Sequence, residues 1–249
     1  MRKILIALST FNRKNITRLC LENLKEIVDS DGKSKLVVYD DASTTYSEKF
    51  LKQFSKNVLR FRVSGGVERS RARAFRDFVH VYKNFDLFYM TDNDTIHDPN
   101  FLNILRNLYE TSSKKFDKKL PIGLYNSKFH NHSNNIIFKN NILSIRKTCP
   151  GVSQCFDREM IKKMLVFINE NPEYETLYGF DYHWPLSLNV PFLQTQTSYL
   201  EHFARDKKEK GLHSTLTEHD PKIDFERDRA LQPSPYLQKI RDKIINKIL

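Results

Sequence analysis

The chain is 249 residues long, enough for one large α/β domain or two small ones whose core needs no covalent staples. Its 41 Lys and Arg against 30 Asp and Glu leave a formal charge of +11, so the surface attracts anions such as phosphates, nucleic acid or acidic membrane. Three cysteines, Cys20, Cys149 and Cys155, give neither the even count of a disulfide scaffold nor the paired spacing of a zinc site. That fits a reducing cytoplasm, and no apolar stretch reaches the length of a bilayer span.

The opening MRKILIALST begins like a signal peptide, but its apolar run is short and leads straight into FNRKN, so residues 3–9 are expected as a first buried strand. Ile16, Leu19, Leu24, Ile27 and Val28 recur at helical spacing over residues 16–28, and residues 29–32 end that helix. A continuous second strand over 36–39 stops at Asp40 and Asp41. A helix over 47–54 leads to a third strand over 58–63, and such alternation implies right-handed crossovers and a mostly parallel sheet. The helix after Ser64-Gly65-Gly66 buries Phe75, Phe78, Val79 and Tyr82, while Arg69, Arg73 and Arg76 form a solvated face. Arg71 lies on the apolar side in the first turn, so it should point toward the edge of the sheet where the acids gather.

Residues 87–90 are a fourth strand that ends at carboxylates. Asp92 and Asp94 follow in a tight loop, and Asp98-Pro99 opens a helix through residue 109. Open α/β sheets bind ligands at the carboxyl ends of their strands. Two carboxylates one residue apart there can share a hard divalent cation that keeps waters and phosphates as its other ligands. The competing reading is a solvated acidic turn.

After a lysine-rich hinge at 114–119, residues 121–126, 135–138 and 142–147 read as shorter, antiparallel strands; His130 and His132 in the loop between receive no role. Pro150-Gly151-Val152-Ser153 leads into a helix over 157–168 that Asn171-Pro172 breaks. In LYGFDYHWPLSL, Asp181 stands among aromatics where desolvation can raise a carboxylate toward general-base range, or else only caps a helix. Residues 192–197 read as a last strand, followed by a polar lid carrying His202 and His213. The C-terminal stripe Leu237, Ile240, Ile244, Ile248 marks a basic amphipathic helix, which packs on its own domain or lies on an anionic membrane.

Taken in succession, ILIALSTFNR, LVVYDDAS, SGGVERSRARA, TDNDTIHDP and LYGFDYHW resemble the motifs of family 2 glycosyltransferases with the GT-A fold. The resemblance implies a Rossmann-like, mostly parallel central sheet flanked by helices, with a smaller mixed or antiparallel acceptor-side part. Residues 1–112 would be the nucleotide-sugar half, 113–235 the acceptor-side half of the same domain, and 236–249 the basic helix. It assigns Ser9, Thr10, Phe11, Asp40, Asp41, Arg71, Asp92 and Asn93 to the nucleotide sugar, and Asp94, Asp92 and His202, with His213 as alternative, to Mn²⁺ or Mg²⁺. Asp181 becomes the catalytic base, and Gly151, Ser153 and Trp184 acceptor-side candidates. Phe180 stands where the family usually carries glutamate.

The expected reaction moves a sugar from a nucleoside diphosphate donor, UDP-linked by preference, to a hydroxyl of a glycan or lipid-linked glycan, inverting the anomeric carbon. The expected setting is cytoplasmic, with the basic helix leaving open a peripheral contact at the inner face of a membrane and no nucleic-acid partner. The rival is a basic nucleic-acid- or membrane-surface-binding protein whose acidic loops do no chemistry.

Overall fold

The computed structural model describes residues 1–127, 135–138, 141–148, 150–175, 179–203 and 230–248. His130, His132, Cys149 and His213 lie outside them. In chain order the elements are β1 (Ile4–Thr10), α1 (Lys14–Asp31), β2 (Ser34–Asp40), α2 (Glu48–Leu51), β3 (Asn57–Arg60), α3 (Gly66–His80), β4 (Leu87–Asp92), β5 (Thr95–His97) and α4 (Phe101–Phe116). There follow β6 (Ile122–Gly123), β7 (Asn135–Phe138), β8 (Asn141–Arg146), β9 (Gln154–Asp157), α5 (Arg158–Glu170), α6 (Trp184–Leu186), β10 (Phe192–Thr195), β11 (Leu200–His202) and α7 (Pro235–Ile248).

Among the described residues nine strands form one sheet in the order β3-β2-β1-β4-β9-β6-β10-β8-β7. Its first four strands pair in parallel, as the helical crossovers between them require, and only β8 and β9 run against the rest. The expected mixed part is therefore a continuation of the same sheet, and the boundary expected at residue 112 falls inside α4.

β1 is buried along its whole length because helices cover both faces. Its side chains alternate. Ile4, Ile6 and Leu8 join Leu21 and Leu24 of α1 and Leu105 and Leu108 of α4 on one face. Leu5 and Ala7 join Phe75 and Phe78 of α3 and Ile161 and Met164 of α5 on the other. Each such leucine, isoleucine or phenylalanine contributes about 1.5–3 kcal/mol by leaving water.

Four expectations need correcting. The helix expected to stop at residue 109 continues to Phe116, so Lys114 and Lys115 complement its last turn rather than forming a hinge. The loop after β4 contains a strand, β5, which pairs antiparallel with β11. His202 accordingly ends a strand instead of riding on a lid. β9 was not expected at all, yet it lies directly beside β4, with Met90 opposite Gln154 and Leu87 opposite Asp157.

The C-terminal helix packs on its own domain through Leu237, which is buried with Ile96 and Phe203. This helix and the residues just before it are stitched to β11 and to the turn that opens α4. Ala230 donates its backbone N–H to Glu201 Oε1 (2.8 Å), Arg241 donates Nε–H to Glu201 Oε2 (2.8 Å), and Ser234 Oγ donates to Asp98 Oδ2 (2.5 Å). No helix among the described residues is long and apolar enough to cross a membrane.

Candidate active site

The ladder register sets the first layer of the site. Ser9 lies opposite Asp92 on one side and Tyr39 on the other, and Thr10 lies opposite Asp40. Because these strands are parallel, all of these residues reach the same carboxyl edge. Phe11 continues from β1, partly exposed. Asn12 then zips the first two loops together: its N–H donates to Ser43 Oγ (2.8 Å), and its Oδ1 accepts from the backbone of Thr44 (2.8 Å) and Thr45 (3.2 Å).

The two acids after β2 have separate environments. Asp40 is fully buried; burial lifts its pKa, while hydrogen bonds from Ser43 and the Arg60 guanidinium 3.3 Å away oppose the rise. Asp41 accepts from Ser64 Oγ (2.6 Å), Gly65 N–H (2.9 Å) and Gly66 N–H (2.9 Å), clamping the start of α3. Gly66 sits at φ 87°, where a side chain would be strained. A carboxylate offers about four lone-pair positions, so Asp41 retains room for about one further donor.

Past β4 the acids take different partners. Arg71, fully buried, donates from Nη2 to Asp92 Oδ1, and its Nε and Nη1 have no hydrogen-bond partner among the described residues. Burial lifts the Asp92 carboxyl, with Arg71 opposing and Asp94 reinforcing the rise. Asn93 turns away and donates to Thr17 Oγ1 (2.6 Å) and Asn12 O (3.3 Å). Asp94 Oδ2 accepts from Arg13 Nη1 (2.8 Å), and its buried Oδ1, which makes no hydrogen bond among the described residues, lies 3.2 Å from His202 Nε2. Desolvation works to raise the Asp94 pKa, but His202 and then Arg13 outweigh it and hold the group at about 2.

That arrangement can be tested against a divalent cation. Two ligands at right angles, each about 2.1 Å from a hard cation, stand about 3.0 Å apart. Asp94 Oδ1 and His202 Nε2 meet this spacing within a few tenths of an ångström. No group of three His, Cys, Asp or Glu side chains converges among the described residues. The protein would thus supply few ligands and leave the rest to phosphate and water, the usual habit of Mg²⁺ sites.

Asp181 lies in a π-helical turn, Gly179–His183, just before α6. Its neighbour Phe180 lays its ring over Arg71, with the guanidinium carbon 3.7 Å from the ring centroid. The Asp181 turn is thereby joined to Asp92 through one arginine.

The family described as Glycosyl transferase family 2 matches residues 5–157. The chain belongs to glycosyl transferase family 2. No curated protein matches it in sequence. Among solved structures it resembles S. aureus TarS 1–349 in complex with UDP-GlcNAc, at 14% identity and a TM-score of 0.57, covering 88% of this chain and 62% of that one. It also resembles the mannosyltransferase PcManGT from Pyrobaculum calidifontis in complex with GDP-Man and Mn²⁺, at 13% identity and a TM-score of 0.52, covering 84% and 58%. The chain spans less than two thirds of either neighbour. At these identities the likeness shows the fold: an α/β GT-A architecture.

The family 2 match ends at residue 157, before Asp181 and His202. Two of the acceptor-side candidates have interior side chains. Ser153 is fully buried and bonded to Tyr89 Oη (3.1 Å) and Leu124 N–H (3.0 Å); Trp184 is fully buried and donates to Tyr174 O (2.9 Å). Both are core. Gly151 instead meets the site indirectly, against Phe180 and Arg71. Sequence reasoning missed Arg13, although a basic residue in the loop after a first strand at the acidic edge was the available signal. It also missed Asn12, which only the folded loops bring beside Thr44.

Proposed function

We propose that this family 2 chain transfers a glycosyl group from a nucleoside diphosphate sugar, UDP-linked by preference, to a hydroxyl of a glycan or lipid-linked glycan, with inversion. The observation that supports this best is the buried Arg71 guanidinium with two nitrogens unpartnered among the described residues, beside Asp92. Leaving a buried donor unpaired costs about 1–3 kcal/mol, and a phosphate oxygen is the acceptor suited to relieving it.

In this reading Ser9, Thr10, Phe11, Asp40 and Asp41 form the base and ribose end, with Asp92 at the ribose and diphosphate, while Asn93 braces that loop through Thr17 and Asn12. Asp94 and His202 would hold Mn²⁺ or Mg²⁺, which when bound would supply charge neutralisation to the departing diphosphate. Asp181 takes the proton of the acceptor hydroxyl as its oxygen bonds to the anomeric carbon and the donor C–O bond breaks on the opposite face. Among the described residues no thiol takes part: Cys20 and Cys155 are buried and desolvation pushes both pKa values up, Cys20 to about 12.

A thermal-shift series with UDP, GDP, UDP-GlcNAc and GDP-Man, each with and without Mn²⁺, tests the reading. A ligand at a hundredfold excess over its Kd should raise the melting temperature by about 5–10 °C. Asp94→Asn should lose the Mn²⁺-dependent part of that rise. Absence of any shift with every nucleotide would overturn the proposal.

A further inference from the structure

Phe180 occupies a position with consequences for the donor site. Its ring covers one face of the Arg71 guanidinium at 3.7 Å, a cation–π contact made away from water because Arg71 is fully buried. On another side stands Gly151, in the turn closed by Ser153 N–H on Pro150 O (3.1 Å). A Cβ at Gly151 would overlap Phe180 Cε2 and lie 2.9 Å from Arg71 Nη1. The missing side chain is what allows ring, guanidinium and backbone to meet. Arg71 Nη2 is committed to Asp92, so the ring and the Gly151 backbone fix the orientation of the donors left over on Nε and Nη1.

We propose that Phe180, seated by Gly151, is a positioning residue: it holds the Arg71 guanidinium so that its remaining in-plane N–H groups are presented to the donor's phosphate oxygens. The same contact ties the turn carrying Asp181 to the donor site. An aromatic face does this without competing for the guanidinium's hydrogen bonds, whereas a carboxylate there would claim the donors meant for phosphate. This inference rests on the nucleotide-sugar reading and extends it to a residue that contacts the donor only through Arg71.

The test compares wild type with Phe180→Leu, Phe180→Tyr and Gly151→Ala by calorimetric binding of UDP and GDP with Mn²⁺, and by NMR of protein labelled with ¹⁵N-arginine. Leu keeps apolar bulk but removes the π face. Tyr keeps it. Gly151 has no positive φ, so alanine acts through its methyl group alone. The expected result is nucleotide affinity about tenfold weaker in Phe180→Leu and Gly151→Ala and restored in Phe180→Tyr. The Arg71 Nε–H resonance should be ring-shifted in wild type and Tyr, return toward the ordinary position in Leu, and move when nucleotide is added. Leu and Ala variants that bind nucleotide as tightly as wild type, at unchanged melting temperature, would overturn this inference alone. Wild-type protein that binds neither nucleotide would overturn the functional reading, and this inference with it.

Discussion

His97 makes the fold sensitive to mild acid, and the size of the effect can be worked out. It is fully buried on β5; its Nε2 lies 3.1 Å from Tyr89 Oη and 3.4 Å from Thr91 Oγ1, and Nδ1 has no partner among the described residues. Burial alone lowers its pKa from 6.5 to about 3. Below pH 6.5 the unfolded chain takes up a proton here that the folded chain refuses, so the unfolded state binds more protons and stability falls as pH falls, down to about pH 3. Between pH 7 and pH 5 this one group should remove about 2 kcal/mol. Urea unfolding of wild type and His97→Gln at both pH values isolates the effect, because the other titrating groups largely cancel in the difference. The wild-type loss should exceed the variant's by about 2 kcal/mol. An equal loss in both would mean that His97 titrates in the folded state as it does in water. Because β5 pairs with β11, the same acid loss should loosen the ribbon that follows Asp94 and carries His202.

Two further predictions concern the site. Asp181→Asn should retain nucleotide binding in calorimetry and lose sugar transfer by a hundredfold or more, about the lower end of what a general base contributes; undiminished turnover would assign the proton to another group. Arg13→Met should strip one partner from buried Asp94 and lower stability by about 2 kcal/mol in urea, and an unchanged midpoint would make the pair energetically idle.

The parallel half of the fold was legible because long apolar runs at β1, β2 and β4 alternate with helices of clear 3.6-residue period. The carboxylate edge was legible for the same reason: an apolar run that stops at an acid marks where a strand leaves the core. β9 was not, since Gln154–Asp157 is a four-residue strand without alternation, fitted between the Pro150-Gly151 turn and the first residue of α5. β5 and β11 were hidden similarly, each being three residues whose pairing is a long-range fact. Arg71 was placed by its position on the helix wheel, but its contact with Phe180 depends on Gly151, far away in sequence and indistinguishable there from any loop glycine. The burial of Ser153 and Trp184 was not legible, because residue type alone does not separate a polar or aromatic side chain at a cleft from one satisfied in the interior.

The strand that brings His202 to Asp94 is held by Glu201, and Glu201 answers to Ala230 and Arg241. During synthesis on a ribosome, the acidic cluster at β4 would exist long before its last fastening has cleared the exit tunnel. Until Arg241 emerges, Glu201 is a carboxylate without its guanidinium, and the β5–β11 ribbon lacks its clasp. The approach of His202 to Asp94 is therefore secured only once α7 has been made and folded back onto the ribbon.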